Sequence, residues 1–236
     1  MTKINRLALL IVIIFGHNCF AQEDSILYKQ GIIYFDKKEY KPAVDFFTKA
    51  ITLNKDFKKA YSARAISFIN LNEYKNAELD FERILKIDSL DSKAYNGRGM
   101  LYFRQKRYSE AYLNFNKAIQ LDSLNCEAFN NRGVYFSYQN NYKSSLRDFL
   151  TAIRIGKKTN SVKYYFYCNL SDTYFNLKEY SQSIVEANNA IEIDKDTRDA
   201  YECRGAAYDK LGNRDEADND FKTAKKFKRT RLYSGD

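Results

Sequence analysis

The chain repeats itself every 34 residues, and that period constrains its fold more than any other feature. Ser92–Asn125 shows the unit most fully. Tyr95, Gly99 and Tyr102 stand at spacings of four and three, so they share one face of a helix. After a short polar break, Ala111, Phe115 and Ala118 repeat those spacings. The pattern predicts two amphipathic helices joined by a tight turn. A single hairpin of this kind cannot bury both its apolar faces, so it must stack on copies of itself.

Six copies follow one another at 24–57, 58–91, 92–125, 126–159, 164–197 and 198–231. The phase breaks once, at Asn160–Lys163, which predicts a longer connection or an extra turn on the next helix. The first anchor is Leu27, Tyr61, Tyr95, Phe129, Tyr167 and Tyr201. The small residue is Gly31, Ala65, Gly99, Gly133, Ser171 and Gly205, and the second aromatic is Tyr34, Phe68, Tyr102, Phe136, Tyr174 and Tyr208. Tyr40, Tyr74, Tyr108, Tyr142 and Tyr180 follow the break, with Arg214 in the sixth copy. The second helix gives Phe47, Phe81, Phe115, Phe149, Ala187 and Phe221, flanked by Ala or Ser four residues before and Ala or Ile three after. Small residues let the two helices of a hairpin cross closely, and aromatics fill the space between hairpins. These columns hold 21 of the 37 aromatics, so the aromatic richness is mostly core rather than a ligand cage. Asp91, Asn125 and Thr197 stand just before first helices, where N-caps belong.

The large–x2–large–small–x2–aromatic…Ala–x3–Phe–x2–Ala signature resembles the tetratricopeptide repeat over essentially all of Asp24–Arg231. The resemblance implies an all-α fold, a right-handed α-solenoid of six helix-turn-helix repeats, working as a protein–protein interaction module. Two features depart from the family. Its proline near each repeat end is replaced by Lys55, Ser89, Ser123, Lys157, Lys195 and Arg229, which predicts softer junctions. No solvating helix follows the sixth repeat, because the tail 232–236 is too short, and the polar segment Asp215–Lys228 is left to cap the stack.

The start of the chain reads differently. Lys3 and Arg6 precede the apolar run Leu7–Phe15, and small residues stand at Cys19 and Ala21. This predicts a secretory signal at 1–21, cleaved after Ala21, and hence an exported protein, periplasmic or secreted and in reach of the cell envelope. Removing the signal removes His17, the only histidine, and with it histidine-activated nucleophiles and histidine-ligated metals. No catalytic group, metal site or cofactor is expected. Cys126, Cys168 and Cys203 show no CxxC spacing and are expected to be free, partly buried thiols. The net charge falls from +9 to +7 with the signal. Lys222, Lys225, Lys226, Lys228, Arg229 and Arg231 then hold six of the surplus positives within 222–231, leaving the rest of the chain near neutral. A basic tail is not a basic groove. Nucleic acid is therefore not an expected partner, and membrane contact is expected only peripherally, through Lys222–Arg231.

Arg64, Arg98, Arg132 and Arg204 recur between the first anchor and the small residue, and Asp80, Asp148 and Asp220 beside the second-helix Phe. The two columns rise together, which predicts ion pairs within hairpins rather than an anion site. In the family the concave face is lined by first-helix positions two, five, six, nine, twelve and thirteen. Carried onto this sequence, those positions give a candidate peptide-binding set of Lys93, Asn96, Phe103, Arg104, Asn130, Asn131, Tyr138, Asn169 and Phe175. Asparagine both donates and accepts, so a ladder of Asn can hold an extended backbone, with the aromatics as anchors. The two-carboxylate clamp of the chaperone-binding members needs Lys and Asn where this chain has Tyr28 and Ile32, so that specificity is not implied. The expected function is a scaffold holding a protein or extended peptide. A structural or sensory envelope subunit acting through its convex face or basic tail is the alternative.

Overall fold

The computed structural model describes residues 23–227. The proposed signal at 1–21 and the end of the basic tail lie outside them. The described residues form twelve helices and no strand: α1 (23–36), α2 (Tyr40–Leu53), α3 (Lys58–Asn70), α4 (Tyr74–Ile87), α5 (Ser92–Arg104), α6 (Tyr108–Leu121), α7 (Cys126–Tyr138), α8 (Tyr142–Thr159), α9 (Tyr164–Asn176), α10 (Tyr180–Ile193), α11 (Arg198–Lys210) and α12 (Arg214–Ala224). None of them is long and apolar enough to cross a membrane. The chain divides into two compact units, the first ending at Arg107 and the second beginning at Tyr108.

Each hairpin turn uses the same backbone device. Lys38, Asn72, Lys106, Asn140, Lys178 and Gly212 all have positive φ, between 56° and 84°. The next amide closes a six-residue ring onto the second-aromatic carbonyl: Glu39 to Tyr34, Glu73 to Phe68, Arg107 to Tyr102, Asn141 to Phe136, Glu179 to Tyr174 and Asn213 to Tyr208, at 2.8–3.0 Å. These are Schellman caps, which satisfy helix-end carbonyls at the expense of one left-handed residue. For a residue with a Cβ that conformation costs roughly 1–2 kcal/mol. Lys38→Gly, Lys106→Gly and Lys178→Gly are each expected to stabilise the chain by about 0.5 kcal/mol, the relief of strain exceeding the added unfolded-state entropy. Urea midpoints check this, and a triple variant no more stable than the parent refutes it.

A second device recurs at the repeat junctions. The side chains of Asn54, Asp88, Asp122 and Asp194, each just after a second helix, accept from the amide two residues on, at 2.9–3.1 Å. An Asx turn thus takes the place of the family's proline. The fourth repeat has Gly156 at this position. With no side chain to form the turn, α8 runs on to 18 residues where α2, α4, α6 and α10 have 14. The four inserted residues therefore leave α9 at its ordinary length of 13 and follow an extended α8. Asn160, at φ 52°, ends it, and the Ser161 amide closes on the Gly156 carbonyl at 2.8 Å. A Cβ on Gly156 would stand 3.0 Å from the Val162 backbone, so the returning chain can pass.

Phe47, Phe81, Phe115 and Phe149 are fully buried, as are most of the small residues around them. Phe47, Phe149 and Phe221 lie against Gly31, Gly133 and Gly205 of their own hairpins. Phe81 instead meets Gly97 of the next repeat, where an added Cβ would stand 2.5 Å from the ring. Gly97 thus belongs to the packing although it stands outside the repeated columns. Where Ser replaces Ala at a crossing, its hydroxyl bonds across: Ser145 to the Gly133 carbonyl at 2.9 Å and Ser171 to the Ser183 carbonyl at 2.8 Å. Asp91 and Asn125 cap α5 and α7 through the amides of Ala94 and Ala128. Thr197 does not cap α11, and its buried hydroxyl has no hydrogen-bond partner among the described residues.

The arginine column makes ion pairs. Arg64, Arg132 and Arg204 each hold both oxygens of Asp80, Asp148 and Asp220 with two nitrogens, at 2.6–2.9 Å. The remaining arm reaches back to the second helix of the preceding repeat, to Thr48, Asn116 and Asn188 at 2.6–2.9 Å. Each guanidinium is therefore a three-way staple between helices and is not available to an anionic ligand. Burial pushes the Asp80 carboxyl above its ordinary range, while Arg64 pulls it down.

Candidate functional site

In the first unit, the faces of α1, α3 and α5 bound a cleft of about 420 Å³. A volume of this size lies within the roughly 300–1,000 Å³ of small-molecule clefts. Tyr28, Ile32, Phe35 and Ile66 form an apolar floor, each only half-buried. Tyr28 is propped from behind by the Phe47 and Phe57 rings, at 5.7 and 5.2 Å. Three lysines stand at the rim. Lys58 is held by Asp88 and Asp91, at 2.7 and 2.9 Å. Lys59 and Lys93 are exposed and make no ion pair among the described residues. Tyr28 and Ile32 do not fit the chaperone-type clamp. Their recurrence with Phe35 at spacings of four and three marks an apolar stripe on α1 that does carry signal.

The second unit has a polar counterpart between α7 and α9. The Tyr165 hydroxyl stands 2.8 and 2.9 Å from the two Glu127 carboxylate oxygens. Asn169 donates to the Asn130 side-chain carbonyl at 3.0 Å, and Asn130 to that of Asn131 at 3.4 Å. Asn130 is wholly buried and Asn131 nearly so. Of the expected ladder, the Asn130 amide links α7 to α9. A buried amide must find partners, and the nearest are on the neighbouring helix.

Burial pushes the Glu127 carboxyl above its ordinary value of 4.5, against the Tyr165 hydrogen bond and the Lys163 charge, which lower it. A raised folded-state pKa means the folded chain holds that proton more tightly than the unfolded one. Stability contributed by Glu127 is therefore lost as pH rises from 4.5 through the raised value. Glu127→Gln, which keeps the Tyr165 bond, is expected to melt above the parent at pH 7.5, with the gap closing by pH 4. A pH-independent gap in thermal melts would refute this.

The remaining candidates divide between the units. Lys93 lies on the first-unit cleft, and Asn96, Phe103 and Arg104 are half-buried farther along α5. In the second unit, Tyr138 is exposed, with its ring 4.8 Å from Tyr108, and Phe175 packs on Tyr180 at 5.4 Å. Asn169 is half-buried beside the asparagine chain. The three cysteines are free, and all are buried rather than partly so. Cys203 donates to Asp172 at 2.8 Å. No group of three or more His, Cys, Asp or Glu among the described residues has the geometry to hold a metal ion.

Two family profiles, both described as tetratricopeptide repeat, match the sequence, one over residues 92–123 and the other over 24–57 and 164–197. No protein of curated function matches it. Solved structures do. PilF of Pseudomonas aeruginosa is 19% identical, with 85% of this chain and 90% of that one covered and a TM-score of 0.67. A chain of the APC/C Cut9–Hcn1 hetero-tetramer is 18% identical over 94% of this chain and 43% of its own, with a TM-score of 0.79. YrrB, a tetratricopeptide-repeat protein with an unusual peptide-binding site, is 24% identical over 75% of this chain and 90% of its own, with a TM-score of 0.53. At these identities the likeness is one of fold. Residues 24–57, 92–123 and 164–197 are thus tetratricopeptide repeats, set in an all-α helical-repeat fold.

Proposed function

We propose that this chain is an exported, non-enzymatic interaction module that holds an extended peptide, or an extended segment of a partner protein, against the first helices of its repeats. One observation carries the reading. The cleft of the first unit keeps aromatic and aliphatic side chains half-open beside exposed lysines, where a helix needing only to pack would have covered them. The fold supports it too, since tetratricopeptide repeats are in general protein-binding modules, and a structural neighbour carries a peptide-binding site. Export rests on the basic–apolar–small pattern of residues 1–21.

Selection of a random-peptide display library on the chain, followed by hydrogen-exchange mapping of the recovered peptides, tests the proposal. Protection is expected on first helices such as α1, α3, α7 or α9. Failure to enrich any peptide, or protection confined to second helices, would overturn it.

The alternative, an envelope subunit working through its outer surface or tail, has an observation of its own. Leu79, Leu113 and Val185 recur at one position of second helices and are exposed, and Lys222, Lys225 and Lys226 are exposed in the last repeat. Flotation with anionic vesicles, abolished by neutralising residues 222–231, is the result that would favour it.

A further inference from the structure

The cleft of the first unit also carries the chemistry of its occupant. Resting on the interaction-module reading, we infer that it takes an extended acidic segment, seating an apolar side chain on Tyr28, Ile32, Phe35 and Ile66 and two carboxylates on Lys59 and Lys93.

The charge argument is local. Asp88 and Asp91 are occupied by Lys58, and Asp91 also caps α5 through the Ala94 amide. Their negative charge is thereby held on one side of the rim. Lys59 and Lys93 have no such counter-ion among the described residues, so the open part of the rim is positive.

Spacing follows from the repeat. Lys59 and Lys93 occupy the same position in successive copies, on the neighbouring helices α3 and α5. Packed helices stand roughly 8–10 Å apart. An extended chain rises about 3.3 Å per residue, so two carboxylates two to four residues apart span the pair. One aromatic or aliphatic side chain between or beside them reaches the floor.

The chain's own ends, outside the described residues, are poor occupants. Residues 1–22 carry Lys3 and Arg6 and no acid, and residues 228–236 carry Lys228, Arg229 and Arg231 against the single acid Asp236. Both meet a positive rim with positive charge. An acidic segment of another protein is the complementary choice.

The test uses the full chain and three short fluorescein-labelled peptides in a Gly/Ser background. Each carries one phenylalanine and two variable residues three apart, which are Glu, Gln or Lys. Anisotropy at low ionic strength is expected to show the Glu peptide binding at least tenfold more tightly than the Lys peptide. That advantage should shrink as salt is added. The Lys59→Glu/Lys93→Glu variant alters only exposed side chains, so its melting curve should match the parent, and its preference should reverse toward the Lys peptide. Equal binding of the Glu and Gln peptides, or an unchanged preference in the variant, overturns the inference. So does a dimer in sedimentation that the variant dissociates, because a second copy would then be the occupant.

Display-selected peptides separate this failure from that of the broader reading. If they bind with protection away from α1, α3 and α5, indifferent to the variant, the module reading stands and the acidic cleft falls. If they and the Glu peptide all fail to bind, both fall.

Discussion

Phe149→Ala is expected to cost about 3–5 kcal/mol, the range for deleting a large buried aromatic. The ring is 1% exposed and lies directly on Gly133, where an added Cβ would stand 2.7 Å away. On that side Gly133 offers no side chain to fill the space. The same core includes Cys126, Phe166 and Leu170, so the hole opens between the fourth repeat and the fifth. A stack of repeats stabilises each member through its neighbours, so the loss passes to both. Urea denaturation read by circular dichroism measures it. The half-buried Phe221 of the last repeat serves as the comparison and is expected to lose clearly less on the same truncation. Equal losses at the two sites would mean that Phe149 is not the keystone its burial implies.

A loss of the same order, about 3–5 kcal/mol, is expected for Arg132→Met, by a different mechanism. The methionine stem fills much of the arginine's volume, so packing changes little. What remains is the Asp148 carboxyl, 3% exposed and stripped of both its charge-assisted bonds, together with an Asn116 carbonyl that loses its donor. The double variant Arg132→Met/Asp148→Leu removes the orphaned charge as well and is expected to recover most of the loss, since a buried ion pair gives little net stability against an apolar pair of similar shape. A double variant as unstable as the single one would show that the staple itself, rather than avoidance of a lone buried charge, holds these helices.

Much of this architecture was legible in the sequence because it repeats. Two helices per copy, the Phe-on-small crossings and the Arg–Asp pairs each recur often enough to be read as columns. The sequence misled where a single position carries the physics. The phase break at Asn160–Lys163 points to a longer connection or an extra turn on the next helix, yet the Asx turn lost at Gly156 lets the preceding helix, α8, run on instead. Asn54, Asp88, Asp122 and Asp194 form a column too, one residue before the positions that lack the family's proline. The candidate site was less legible. Spacing places Asn130, Asn131 and Asn169 on the expected face, but spacing does not say whether an amide on that face meets solvent or the adjacent helix. Asn130 meets the helix. Half-open side chains lie at Tyr28, Ile32 and Phe35, beside the exposed Lys59 and Lys93.

The arginine staples have a mechanical consequence. They join α2 to the α3–α4 hairpin, α6 to α7–α8 and α10 to α11–α12, and they leave α1, α5 and α9 outside any of the three clusters. The break between the two compact units falls just after one of these helices, α5. Under tension a uniform repeat array yields one copy at a time. Here the arginine staples recur only on alternate copies, so this reinforcement has twice the period written in the sequence.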